Sequence, residues 1–168
     1  MGKKALGSGI HSTPAFGPEG LIVVGAQDGT VHFLKLNESN YEIQELDKKT
    51  TGGGGYSSPA INSDGVIVIG SNDKHVYFYK YNPKTKKVDE IAKMETGGEI
   101  WSSPTFAENG IVIVGSKDKH VHFFKVDSST HQVTKLTSKE TKHEVNSSAA
   151  VGPNSSFGQS TPRGAARP

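Results

Sequence analysis

The chain contains no cysteine, so disulfides and thiolate metal sites are excluded and the redox compartment is left open. It has no apolar run long enough to cross a bilayer as a helix. Neither sign of charge dominates: 19 Lys and Arg stand against 17 Asp and Glu, for a net charge of +2. That near-balance gives no reason to expect nucleic acid or an anionic membrane as a partner. Met1-Gly2-Lys3-Lys4 is followed by no apolar core, so no secretory signal is visible. Either a cytoplasmic protein or a piece of a longer chain fits, and the compartment stays open. A sustained 3.6-residue apolar period is also missing, because Gly and Pro interrupt every candidate helix.

What the sequence does have is a repeat. HSTPAF (11–16), YSSPAI (56–61), WSSPTF (101–106) and a worn copy, NSSAAV (146–151), begin at intervals of 45 residues. Gly20, Gly65 and Gly110 keep the same interval, as do Gly25, Gly70 and Gly115, and Asp28, Asp73 and Asp118. Segments 56–96 and 101–141 share 16 identities in 41 positions without a gap. A period of this size marks a repeat architecture in which each unit is one supersecondary element.

Within one unit, YSSPAI is short and apolar at alternate places, and the turn signal NSDG follows. VIVIG, matched by LIVVG (21–25) and IVIVG (111–115), is apolar at every side chain, which predicts a strand buried on both faces. A tight turn leads into HVYFYKY (75–81), matched by TVHFLKL (30–36) and HVHFFKV (120–126). A weaker, charged fourth strand is expected around 87–94. Four short antiparallel strands in 45 residues is the size and make-up of a propeller blade.

The expected organisation is a lead-in over 1–10 and complete blades over 11–55, 56–100 and 101–145. Residues 146–168 would supply a partial first strand of a fourth blade and a disordered tail. The Ser-Ser-Pro strand would be innermost, where an unpartnered edge tolerates Pro14, Pro59 and Pro104. His11, Tyr56 and Trp101 would begin that strand at one mouth of the central tunnel. Three blades leave apolar faces at both ends, so self-association or membership of a longer propeller chain is expected.

Ser-Ser-Pro-Ala-Ile, Asp-Gly-Val-Ile-Val-Ile-Gly-Ser and Val-Tyr-Phe-Tyr of the second unit, with their counterparts over 8–141, resemble the pyrroloquinoline-quinone (PQQ) type propeller repeat. The resemblance implies an all-β propeller. Its members include quinoprotein dehydrogenases, outer-membrane assembly lipoproteins, luminal stress sensors and domains attached to adenylating enzymes, many of them extracytoplasmic. This chain departs from the pattern where the family's Thr-Gly-Lys-x-x-Trp reads Thr85-Lys86-Lys87-Val88-Asp89-Glu90-Ile91, with Ile91 and Leu136 in place of the docking tryptophan. It also has no vicinal cysteine pair and no evident calcium-ligand cluster. There is no Trp-Asp pair of the WD-type repeat.

Each candidate site has a bland counterpart. Asp28, Asp73 and Asp118 fit a carboxylate ring for a cation, but the turn preference of Asp fits hairpin amides better. His120 and His122 lie two apart on one strand and so share a face; with no third ligand beyond a distant His131, packing outweighs a zinc or copper site. Ser57, Ser58, Ser102 and Ser103 have no repeated base or oxyanion device, which favours structural hydroxyls. Gly52–Gly55 lacks the Lys-Ser/Thr and helix of a phosphate loop. Lys35, Lys80 and Lys125 fit solvated positions with packed stems, or a basic ring for an acidic partner. Asn37-Glu38-Ser39, Asn146-Ser147-Ser148 and Asn154-Ser155-Ser156 match the glycosylation pattern, which matters only in a secretory compartment. Tyr56, Trp101 and His11 are the binding candidates, since rim aromatics anchor partners or sugars.

The sequence thus points to a non-catalytic binding scaffold for a protein or carbohydrate, with no cofactor of its own. The alternatives are a fragment of a PQQ-dependent dehydrogenase, with PQQ and Ca2+ held elsewhere, and a sugar-binding propeller.

Overall fold

The computed structural model describes residues 3–152 and is all-β. Twelve strands form three four-stranded sheets, each an antiparallel meander in chain order. The first sheet comprises β1 (Ala15–Phe16), β2 (Leu21–Gly25), β3 (Thr30–Asn37) and β4 (Glu42–Thr50). The second comprises β5 (Ala60–Ile61), β6 (Val66–Gly70), β7 (His75–Asn82) and β8 (Lys87–Glu95). The third comprises β9 (Thr105–Phe106), β10 (Ile111–Ser116), β11 (His120–Val126) and β12 (Val133–Glu140).

The turns repeat as faithfully as the strands. Gly20, Gly65 and Gly110 all take a left-handed conformation, with φ between 72° and 76°, which glycine adopts without a side-chain clash. The pairing of the third strand with the fourth slips at Phe33/Leu34, Phe78/Tyr79 and Phe123/Phe124, one bulge per blade at one repeat position. Such bulges increase the local twist.

Alternation along the strands sends side chains to opposite faces of each sheet, and these faces build two separate cores. Leu21, Val23, Val31 and Phe33 of the first blade meet Ile67, Ile69, Tyr77 and Tyr79 of the second. Val66, Val68, Val76 and Phe78, on the second blade's other face, meet Val112, Val114 and Phe124 of the third. Phe33 and Tyr79 pack edge to face in the first joint, with ring centroids 5.7 Å apart and planes at 77°, and Phe78 and Phe124 do so in the second, at 5.6 Å and 71°. This is why the second strand is apolar on both sides.

Two details differ from the sequence reading. The innermost strand is only two residues long, and Ser-Ser-Pro precedes it. Those residues bond to hydroxyls and to the second strand instead of to a ladder. The fourth strand lies where expected, at Lys87–Glu95 in the second blade, but is not weak: β4 and β8 run nine residues each, paired along their length with the third strand. The tail expected after Val151 lies, from residue 153 onward, outside the described residues.

Candidate functional site

The Ser-Ser pair divides its work. The first serine serves its own blade: Ser12 Oγ donates to the Gly25 carbonyl at 2.8 Å and accepts the Gly25 N–H at 3.1 Å. Ser102 does the same at Gly115, at 2.8 and 2.9 Å. Ser57 Oγ accepts the Gly70 N–H at 3.0 Å. The second hydroxyl reaches back to the preceding blade. Ser58 accepts the Thr13 N–H, Ser103 the Ser58 N–H, and Ser148 the Ser103 N–H, all at 2.8–2.9 Å across 45 residues. The worn fourth copy therefore still fills its place.

Gly70 and Gly115, beside these serines, have no room for a side chain, and Gly25 would need Ile69 to shift. A Cβ on Gly70 would overlap Ile100, and one on Gly115 would overlap Val145.

Asp28, Asp73 and Asp118 sit in the turns between the second and third strands. Asp73 accepts the His75 N–H with one oxygen; with the other it takes the Tyr77 hydroxyl at 2.5 Å and the Gly52 N–H of the incoming connection at 3.1 Å. Asp118 repeats this with His120 N–H, with His122 Nε2 at 2.8 Å and with Gly97 N–H at 2.7 Å. Asp28 reaches no connection and engages only Thr30, through its amide at 2.9 Å and its side chain. Burial alone would push the Asp118 carboxyl up, but the Gly97 and His122 donors outweigh it and hold it below the usual carboxylate range. Burial also pushes the His122 imidazole down, further than Asp118 lifts it.

His120 and His122 lie on β11 with ring centroids 5.9 Å apart, but Asp118 occupies a nitrogen of each: its carbonyl lies 2.9 Å from His120 Nδ1, and its carboxylate engages His122. His131 sits in the turn at the far end of the β11–β12 hairpin. Among the described residues no group of three or more His, Asp or Glu side chains is placed to hold a metal ion. Lys80 and Lys125 donate to the Asp64 and Asn109 carbonyls of their own blades, at the end opposite the aspartates.

One feature carries no repeat-stabilising bond. His11, Tyr56 and Trp101 stand side by side across three blades. Their ring centroids are 5.4 Å apart from His11 to Tyr56 and 5.1 Å from Tyr56 to Trp101, tilted by 50° and 52°. Tyr56 is 42% exposed and Trp101 38%. Lys117 Nζ lies 3.4 Å from the Trp101 ring centroid, and Glu99 fixes both, accepting from Trp101 Nε1 at 3.1 Å and from Lys117 Nζ at 2.9 Å. Sequence reading named the three rings but missed the Glu99–Lys117 bracket, because Glu99 recurs only as Glu144 and Lys117 does not recur at all. It also missed Thr51, Thr96 and Thr141, each of which donates to the carbonyls of the hairpin turn and of the connection two residues on. Their spacing of 45 was the signal that would have found them.

No family model matches the chain, and no curated protein matches its sequence. Solved structures do. Saccharomyces cerevisiae Sqt1 superposes with a TM-score of 0.70 at 14% identity, covering 82% of this chain and 37% of that one. BamB from Moraxella catarrhalis gives 0.63 at 12% identity, covering 82% and 38%. The chain thus spans well under half the length of either. At such identities the likeness concerns the fold alone, and it shows an all-β, propeller-like array of four-stranded blades.

Proposed function

We propose that the chain is a non-catalytic propeller repeat of the PQQ type that acts as a binding scaffold, with a protein partner seated on the His11–Tyr56–Trp101 row. The observation that carries this reading is the row itself. Three exposed rings at one repeat position touch one another, and the third is braced by a lysine and a glutamate. A rigid aromatic surface loses little side-chain entropy on binding, which is what interface anchors exploit. The other repeated polar groups are spent on the fold: the hydroxyls on amides, the aspartates on connections, two of the lysines on carbonyls.

The same rings would suit the flat apolar face of a sugar, and that is the second reading. Trp101 is the one tryptophan of the chain, so its fluorescence reports on the row directly. Peptides selected from a displayed library should quench or shift that emission. They should lose at least tenfold in affinity against the Tyr56→Ala and Tyr56→Ala/His11→Ala variants. Selected peptides that bind the variants equally would refute the site. Binding confined to a glycan array would move the assignment to carbohydrate.

A further inference from the structure

Among the described residues only the second blade has a neighbour on each side. The faces of the first and third blades that point away from it are, by the 45-residue repeat, counterparts of faces that the second blade buries. On the first blade, Phe16, Ile22 and Leu36 occupy the places of Ile61, Ile67 and Tyr81, all packed into the first joint. Phe16 is nevertheless 75% exposed and Leu36 37%. On the third blade, Ile111, Val121 and Leu136 occupy the places of Val66, Val76 and Ile91, all packed into the second joint. Leu136 is 51% exposed. The chain therefore carries both halves of a joint that it already makes twice within itself.

We propose that these two faces join head to tail between copies of this chain, the first blade of one copy packing on the third blade of the next. A second copy is the occupant because its face is the repeat equivalent of the one the third blade's neighbour would present. The polar ladder extends in the same way. Thr13 of the incoming copy brings a hydroxyl to the Ser103 N–H, where Ser148 now stands at 2.8 Å. Residue 11 of the next copy would take the place that residue 146 now holds, without a covalent link between the copies, and two segments must withdraw. Residues 146–151 are held by the Ser148 contact and by Thr105 Oγ1 donating to the Ala149 carbonyl. Residues 3–10 are held by Gly9 accepting the Gln27 N–H and by a Lys4–Glu45 ion pair at 3.5 Å. They act as intramolecular caps in competition with assembly. A joint between unlike faces continues until rotation closes a ring.

This inference does not depend on the aromatic row, whose three rings are not among the residues of either face, so the two fail separately. The test is the mass of the full chain, 17.9 kDa, by light scattering over a range of concentrations. Wild type should assemble to a discrete multiple, and a Ser148→Ala chain, with a weakened cap, at lower concentration. Phe16→Lys and Leu136→Glu each block one face at a mostly exposed position, so both variants should fold and run as monomers. Mixed in equal amounts they should form dimers and stop there, since only one joint between the two chains is intact. Wild type that stays monomeric, single variants that still assemble, or a mixture that stays monomeric would each overturn the proposal.

Discussion

The hydroxyl of Ser103 accepts the backbone N–H of Ser58 at 2.9 Å, one blade holding the preceding one at a separation of 45 residues. The amide just before each proline thus finds its acceptor in a neighbour and not in a ladder. Replacing Ser103 with Ala leaves the Ser58 N–H, part-buried, without its acceptor. The expected cost is about 1–2 kcal/mol. Ser58→Ala should cost less, since the Thr13 contact is exposed. Urea midpoints should fall in that order with unchanged slopes.

The aspartates should prove unequal despite their identical repeat position. Asp73→Ala removes acceptors from the His75 and Gly52 amides and the Tyr77 hydroxyl, and a loss of about 2–4 kcal/mol is expected for bonds to a charged group. Asp28→Ala loses only exposed contacts to Thr30 within its own hairpin and should cost about 0.5–1 kcal/mol. Equal losses in thermal or urea unfolding would show that the aspartates act only within their own hairpins.

Gly70→Ala should cost about 1–3 kcal/mol by overpacking, because the new Cβ overlaps Ile100 and comes within 3.1 Å of the Ser57 hydroxyl. Gly152→Ala, where a Cβ meets nothing within 4 Å, serves as the control. A Gly70→Ala chain as stable as the control would remove close approach as the reason for glycine there.

Stability should fall on mild acidification through His122. Its folded pKa is lowered, by burial first, from an ordinary 6.5, so protons favour the unfolded chain. Its contribution is fully present above that value and is lost as pH falls through the folded one. Asp118, also lowered, adds a second loss below about 3.8. His122→Tyr installs the residue that the second blade has at position 77 and should flatten the first step. A pH profile of melting temperature unchanged by this variant would exclude His122 as its source.

Added PQQ and Ca2+ should leave the melting temperature unchanged under the scaffold reading, since a ligand that binds only the folded state raises it. A concentration-dependent rise would favour the quinoprotein alternative.

Much of the blade was readable in residues 56–97. The doubly apolar VIVIG run, the glycines at turns and the 45-residue interval each reflect a local requirement: burial on two faces, a left-handed backbone, a fixed strand count. The site was readable only in part. Tyr56 and Trp101 announced themselves as aromatics ahead of a proline, but Glu99 and Lys117 did not, because single charged residues in turns look like any solvated surface. The place of the fourth strand was readable, around 87–94 against Lys87–Glu95, but its regularity was not: its pairing with the third strand, rather than its own polar composition, makes it a strand.

The sequence by itself determined the repeat, the strand order within each blade and the positions that must be glycine, because these follow from spacing, backbone conformation and which side chains avoid water. Only the tertiary structure decided which serine serves its own blade and which the preceding one, that Asp118 closes on His122 where Asp73 closes on Tyr77, and that three rings 45 residues apart form one surface. Those outcomes depend on distances across blade joints, and such distances are set by how whole sheets pack and not by any stretch of chain alone.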